Sequence, residues 1–352
     1  MSEERTFKRR RVAYSRPRGE TPAFTKVGID DAWRLFLAAK RGEGLRPRTI
    51  EDYSNTWRYF TTWLGEVGYN VEYVSDITGE MIREYIDYIT NEAPRYKGHF
   101  NMSADSGKYG KGLATATINM RIRGLKVAFN YWLGESYIPI TPMRTIKTQR
   151  DDEDAIEAFS DEQVDALLAA CNQRTYVGFR DYVFQLLLLD TGMRMNEALS
   201  VTPDVIDMKA RVIQLEAKFN KNRRYRIIPI SPETLKLLLE LIDENRQHFG
   251  DGRRVFLSVY GEEVRDVQMN KRLKYYGDKT GVGKDIRSTA HTFRHTFSRN
   301  YILEGGDPYT LMRILGHSNI AMVRRYIQMT DVDVRTKHTI HSPINRIRKK
   351  LR

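Results

Sequence analysis

A single cysteine, Cys171, in a chain of 352 residues has no partner for an internal disulfide and cannot build a cysteine-based zinc site. Nothing in the chain approaches the ~20 consecutive apolar residues that cross a bilayer. Even Leu186 to Leu189 sits inside a mixed helical pattern. The N-terminal residues are polar and rich in arginine, without the apolar centre of a secretory signal. No group of His, Cys, Asp and Glu has metal-ligand spacing, and no glycine-rich nucleotide loop is visible, so no metal and no cofactor is expected. Acidic side chains stop at Asp333. These absences point to a reducing cytoplasm, no membrane partner, and chemistry done by side chains alone.

What the chain has is positive charge. Its 58 basic residues against 45 acidic ones leave a net charge of +13. An excess of that size points to a polyanionic partner, most often nucleic acid. The plainer alternative is a basic protein of unrelated function.

Taken in order, residues 1–25 read as a basic, disordered arm carrying Lys8, Arg9, Arg10 and Arg11. Residues 26–145 read as helical. Asp30 is expected to cap a first helix showing Trp33, Phe36 and Leu37 on one face. Thr49 is expected to cap a second, with Tyr53, Trp57, Phe60 and Leu64 at helical spacing. Thr78 opens a third, with Ile82, Tyr85 and Ile89, and a fourth runs from about Thr115 to Leu133. Their aromatics are read as core. Their polar faces hold Arg46, Arg48, Arg121, Arg123 and Lys126, which meet either phosphates or water. The stretch of about 91–113 contains four glycines with Lys108 and Lys111, and reads as a loop too polar to pack that could reach DNA.

Residues 146–156, where basic residues give way to Asp151, Asp152, Glu153 and Asp154, read as a linker. A second domain, 157–333, opens on a capping box at Ser160. It continues through a long apolar helix ending near Thr191-Gly192, then strands at Val205–Asp207, Val212–Ala217 and Arg226–Ile230. The last two flank a hairpin tip carrying Lys218, Lys221, Arg223 and Arg224. Helices are expected near 232–249, 266–276, 288–304, 308–315 and 319–328. Residues 334–352 form a basic tail.

Within this domain, His291 and Arg294 lie three apart and share one helical face. His317 follows Gly316, a helix-ending residue, and Tyr326 comes nine residues later. Two imidazoles, a guanidinium and a phenol on successive short helices can converge on one small anion, and a phosphodiester is the natural candidate.

Assembled, the segments Thr191-Gly192-Met193-Arg194, Asn196-Glu197-Ala198-Leu199, His291-Thr292-Phe293-Arg294-His295 and Leu315-Gly316-His317-Ser318 resemble the signature of the tyrosine recombinases, the phage-integrase family. Lys218 stands where that family carries its hairpin lysine, and Tyr326 where it carries its nucleophile. The resemblance implies an all-α, SAM-like core-binding domain followed by a mixed α+β catalytic domain, the two clasping DNA from opposite sides. It implies a catalytic set of Arg194, Lys218, His291, Arg294, His317 and Tyr326, with Glu197 orienting Arg194 or His291. Lys221 is the alternative acid to Lys218. Tyr301 and Tyr309 are rival tyrosines, and His295 is read as a core histidine.

The implied reaction is site-specific recombination of duplex DNA through a 3′-phosphotyrosine and a Holliday junction. Inverted-repeat sites would bind a homotetramer, and the free protein would be a monomer or weak oligomer near the nucleoid. An integrase or transposase of a mobile element is the expected use, with a Xer-type dimer resolvase as the alternative. A type IB topoisomerase-like enzyme and a catalytically silent DNA-binding protein are the remaining readings.

Overall fold

The computed structural model describes residues 24–94, 110–150, 157–215, 225–251 and 254–317, together with 319, 320, 323, 338, 339, 342 and 344. Lys108, Lys218, Lys221, Arg223, Arg224 and Tyr326 lie outside the described residues, as do nearly all of the basic arm, the centre of the 91–113 loop and most of the C-terminal tail. The chain divides into two compact units, Met1–Glu153 and Asp154–Arg352.

The first unit contains four long helices among its described residues: α1 (Ile29–Gly42), α2 (Pro47–Glu66), α3 (Gly79–Asn91) and α4 (Thr115–Gly134). Two caps differ from expectation. Asp30 lies within the first turn of α1, after an N-cap at Gly28. There its charge favours the positive end of the helix dipole without any capping bond. Thr49 lies inside α2, because Pro47 with its fixed φ takes the first helical position and makes Arg46 the N-cap. Thr78 does cap α3, its side chain accepting from the Met81 N–H.

The aromatics of this unit are its core. Trp33 stacks on Trp57 at 4.9 Å, and Trp57 and Phe129 both meet Trp132 edge-on. The Trp132 indole N–H donates to the Ala32 carbonyl at 3.0 Å, so the largest buried side chain is also polar-satisfied. Both ends of the 91–113 stretch are packed. Pro94 bridges to Lys111, and the Leu113 N–H donates to the Ile89 carbonyl at 2.8 Å. The start of the expected linker is fastened too. Ile146 is buried, and Gln149 exchanges two hydrogen bonds with Asn119 of α4, at 2.8 and 2.9 Å. A buried amide in α4 gave that stretch a partner that no hydrophobic pattern announces.

The second unit is built around α6 (Tyr176–Thr191), a helix buried on almost every face. It packs against α8 (Pro232–Phe249) and α10 (Ala290–Leu303), and α5 (Asp161–Ala169) lies beside it. A short α7 (Met195–Leu199) follows, then an antiparallel sheet of β1 (Ile206–Asp207), β2 (Val212–Leu215) and β3 (Arg226–Pro229). Leu215 pairs with Arg226, the last described register before the hairpin tip. The expected helix near 266–276 runs further, as α9 (Asp266–Thr280), ending on a left-handed Gly281. The α11 helix (Pro308–Leu315) packs against β3.

A buried carboxylate ties α6 to α9. Asp181 accepts from Arg180 at 2.6 and 3.0 Å, from Arg272 Nε at 2.6 Å and from the Tyr276 hydroxyl at 3.0 Å. Arg180 also donates to the Leu257 carbonyl at 2.9 Å, so its buried fork is satisfied on both sides. Breaking a buried pair by removing one partner leaves the other charge uncompensated. Asp181→Ala is therefore expected to lose about 3–5 kcal/mol of stability, seen as a lower urea midpoint for the full chain. An unchanged midpoint would show that the network contributes nothing net.

Candidate active site

Four segments of the second unit meet at one place. The first is the turn that ends α6. Gly192 caps it with φ 60° and ψ 23°, in the left-handed region where glycine carries no Cβ penalty. Any Cβ there would collide with Phe297 of α10 and Leu315 of α11, so this position demands glycine twice over. The turn releases Arg194 as the N-cap of α7.

Glu197 closes that turn. Its carboxylate accepts the Arg194 backbone N–H at 3.0 Å and the Arg194 guanidinium at 2.8 Å. The Glu197 side chain is 2% exposed, whereas that of Arg194 is 26% exposed. This is not a solvated surface pair: the acid is inside and the guanidinium reaches outward from it. No bond to His291 is present among the described contacts of Glu197. Its carboxyl stays below the ordinary glutamate range because Arg226 and Arg194 outweigh a large opposing contribution from burial.

The second and third segments are α10 and the end of α11. Arg294 is buried. One Nη donates to the Gly192 carbonyl at 2.6 Å; the other donates to the Leu315 carbonyl at 2.8 Å and to His317 Nε2 at 2.8 Å. A donor at Nε2 makes that nitrogen the acceptor, which puts the ring proton on Nδ1. His317 Nδ1 is buried with no hydrogen-bond partner among the described residues. Burial, followed by the fields of Arg294 and Arg194, pushes the His317 pKa down to about 4. The His291 pKa is also lowered, first by burial and then by Arg294 and Arg194, although the residue as a whole is exposed. The half-buried His295 meets His291 edge-on at 4.2 Å.

The fourth segment is β3, and it supplies a residue that the sequence reading missed. Arg226 donates to Glu197 Oε2 at 2.7 Å and to the Leu315 carbonyl at 2.7 Å. A signal for it was available. In β3 the alternation buries Arg226 and Ile228 and exposes Ile227 and Pro229, so the period of two sets an arginine on the inward face. A buried arginine requires a carboxylate nearby.

The described part of the site thus gathers two guanidiniums and two imidazoles, with Arg194 and His291 reaching the surface and Arg294 and the His317 Nδ1 buried behind them. Lys218 and Tyr326 fall outside the described residues. Of the rival tyrosines, Tyr301 packs against Phe297 at 5.8 Å, and Tyr309 is 65% exposed at the start of α11.

Of the other basic residues expected to meet DNA, Lys221, Arg223 and Arg224 of the hairpin lie outside the described residues, and the described ones lie in the first unit. Arg48 pairs with Glu51 and Asp52 at 3.2 and 3.3 Å. Arg121 lies over the Tyr59 ring at 4.2 Å and donates to the Tyr85 hydroxyl, while Arg123 donates to the Asn119 carbonyl. Arg46 and Lys126 are half-buried and Lys111 is exposed.

The His317 shift has a defined sign. The folded state favours the neutral ring, while an unfolded histidine titrates near 6.5. The resulting stability is present above pH ~6.5 and is lost as pH falls toward the folded pKa. Between pH 7 and 5 the melting temperature of the wild type is expected to fall more steeply than that of His317→Gln. Parallel slopes would remove His317 as a cause of acid sensitivity.

Comparison with known proteins gives the same direction. Over 299 residues the chain is 26% identical to tyrosine recombinase XerD of Listeria monocytogenes, covering 84% of this chain and 92% of that one. Over 221 residues it is 27% identical to XerD of Lacticaseibacillus casei, covering 62% and 74% respectively. The fold is similar to that of the Tn1549 transposon integrase in complex with a circular-intermediate DNA, with a TM-score of 0.63, 21% identity, and coverage of 88% of this chain and 98% of that one. The sequence profile of the phage integrase family matches residues 157–332, half of the chain and the whole region in which Arg194, His291, Arg294 and His317 converge, and the chain belongs to that family.

Proposed function

We propose that this protein is a site-specific recombinase that cuts and rejoins duplex DNA with Tyr326 as nucleophile and Arg194, Arg294, His291 and His317 around the scissile phosphate. The observation that carries the reading is the convergence of Arg194, Arg294 and His317 from α6–α7, α10 and α11 onto one place, with buried Glu197 beneath. Attack on a phosphodiester builds negative charge on its non-bridging oxygens. Fixed guanidinium forks aimed there lower the barrier without reorganising during the reaction.

In the proposed step the Tyr326 oxygen forms a bond to phosphorus as its proton leaves, and the bond from phosphorus to the 5′-oxygen breaks. An unperturbed phenol has a pKa of about 10, so His291 or the field of the arginines assists the deprotonation. Lys218 protonates the departing 5′-oxygen, with Lys221 the alternative. One phosphodiester is exchanged for another, so rejoining needs no nucleotide. The first unit would act as a SAM-like core-binding domain, with Arg46, Arg48, Lys108, Lys111, Arg121, Arg123 and Lys126 toward DNA, and Lys221, Arg223 and Arg224 would contact it from the hairpin.

Four protomers on two inverted-repeat sites, a cytoplasmic, nucleoid-associated protein, and use by a mobile element complete the reading. Dimer resolution is the second reading, favoured by the XerD relatives. Sequencing of protein-linked DNA ends across the source genome separates them. Ends clustered at an element's borders support the first, and a single chromosomal or plasmid site supports the second.

Tyr326→Phe is expected to bind DNA near normally and to form no covalent adduct with a nicked suicide substrate on a denaturing gel. Adduct in that variant would move the nucleophile to another tyrosine. Arg194→Ala and Arg294→Ala are each expected to slow single-turnover cleavage by on the order of 10²- to 10³-fold, with far smaller losses in DNA affinity. Lys218→Ala is expected to regain cleavage on a 5′-bridging phosphorothiolate, whose sulfur leaves without a proton, while Arg194→Ala is not. Rescue of Lys221→Ala instead would reassign the acid.

A further inference from the structure

We infer that Arg226 is a positioning residue of the strand-cleavage reaction: it neutralises Glu197, so that Glu197 can hold Arg194 in place without consuming the charge Arg194 needs for the phosphate. The inference rests on the reading that Arg194 and Arg294 grip the scissile phosphodiester.

The first observation is burial. The Arg226 side chain is 5% exposed. It therefore acts through other groups, not by touching DNA. Its two Nη atoms are committed, one to Glu197 Oε2 and one to the Leu315 carbonyl, each at 2.7 Å. Its Nε is buried without a partner among the described residues, so the fork is held for its two Nη contacts at the expense of its third donor.

The second observation is how Glu197 divides its oxygens. Oε1 faces the Arg194 guanidinium, whereas Oε2 takes the Arg194 backbone N–H and Arg226. One carboxylate thus fixes Arg194 at both backbone and side chain, and Arg226 cancels its charge from the side away from solvent. Without Arg226, the same carboxylate would bind Arg194 as an uncompensated buried anion and weaken its field at the phosphate.

The third observation is the shared acceptor. Leu315 ends α11, and its carbonyl is one of the groups a helix leaves unpaired. It takes hydrogen bonds from Arg226 and Arg294 together, at 2.7 and 2.8 Å. Gly316 makes the approach possible: at φ 65°, any Cβ there would run into Arg226 Nη1. Arg226 consequently links the strand after the hairpin, the Arg194 turn and the carbonyl that orients Arg294.

A double-mutant cycle tests this with the full chain and a suicide substrate under single-turnover conditions. Arg226→Gln is expected to slow cleavage by on the order of 10²-fold, with DNA affinity nearly unchanged. In the Glu197→Gln background there is no buried anion to cancel. There, the same Arg226→Gln change is expected to cost less than about tenfold. An equal loss in both backgrounds would mean that Arg226 is only a brace, and overturns the inference.

Arg226→Lys, which keeps the charge and loses the fork, should cleave faster than Arg226→Gln. It runs the same cycle should the glutamine variant lose its thermal transition. A 5′-bridging phosphorothiolate should not rescue Arg226→Gln. Rescue would place Arg226 behind the leaving-group acid of the hairpin and overturn the inference as stated. Arg194→Ala, measured in parallel, separates the two levels. Wild-type cleavage by that variant removes the phosphate-grip reading itself. An inactive Arg194→Ala beside a fully active Arg226→Gln removes the Arg226 role alone.

Discussion

A buried carboxylate sets the terms for the rest of the site. Glu197 is 2% exposed, and a charge so placed persists only where its partners outweigh the loss of water. Those partners are Arg194 and Arg226, and the Leu315 carbonyl extends the arrangement to Arg294. With His317 and His291 both favouring the neutral form, three guanidiniums and one carboxylate leave two net positive charges among the described residues. In the proposed reaction one phosphodiester would cancel half of that charge, and an attacking phenolate the other half. In that reaction such a site would favour the state in which both anions are present over the state with bound DNA alone, which is the condition for accelerating a chemical step.

Two buried ionic networks in one unit do different work. Around Asp181 the partners come from both helices, Arg180 buried and Arg272 partly exposed, and the result is a clamp between α6 and α9. Around Glu197 one partner, Arg194, turns outward while the other stays buried. Each network pairs a buried carboxylate with one buried and one partly exposed guanidinium, and they differ in their neighbours: Arg194 is close enough to His291 and His317 for its charge to act on both rings. Those neighbours, and not the exposure of a guanidinium, separate the helix clamp from the candidate site.

Much of the site was legible because its residues sit where helices begin and end, and those positions carry local signals. Gly192 and Gly316 mark two helix ends, Ser160 and Thr78 mark two starts, and the spacing of His291 and Arg294 follows from the helical repeat. Arg226 was missed because its meaning is not local. It depends on a carboxylate 29 residues earlier and a carbonyl 89 residues later. Asp30 and Thr49 were misplaced for a smaller reason. Several polar residues near a helix start can serve as caps, and Pro47 or a plain glycine decided the matter instead. Gln149 was read as linker because an amide pairing with Asn119 leaves no trace in a hydrophobic pattern.

The lone thiol has a practical consequence. Cys171 is 5% exposed, takes a hydrogen bond from Gln185 at 3.1 Å, and has its pKa pushed up to about 11 by burial. At neutral pH almost none of it is thiolate, the form that alkylating dyes attack. A cysteine introduced on the surface can therefore be labelled selectively in the folded protein, with the native residue left in place. One dye on each of the two units would turn their separation, with and without DNA, into a fluorescence distance.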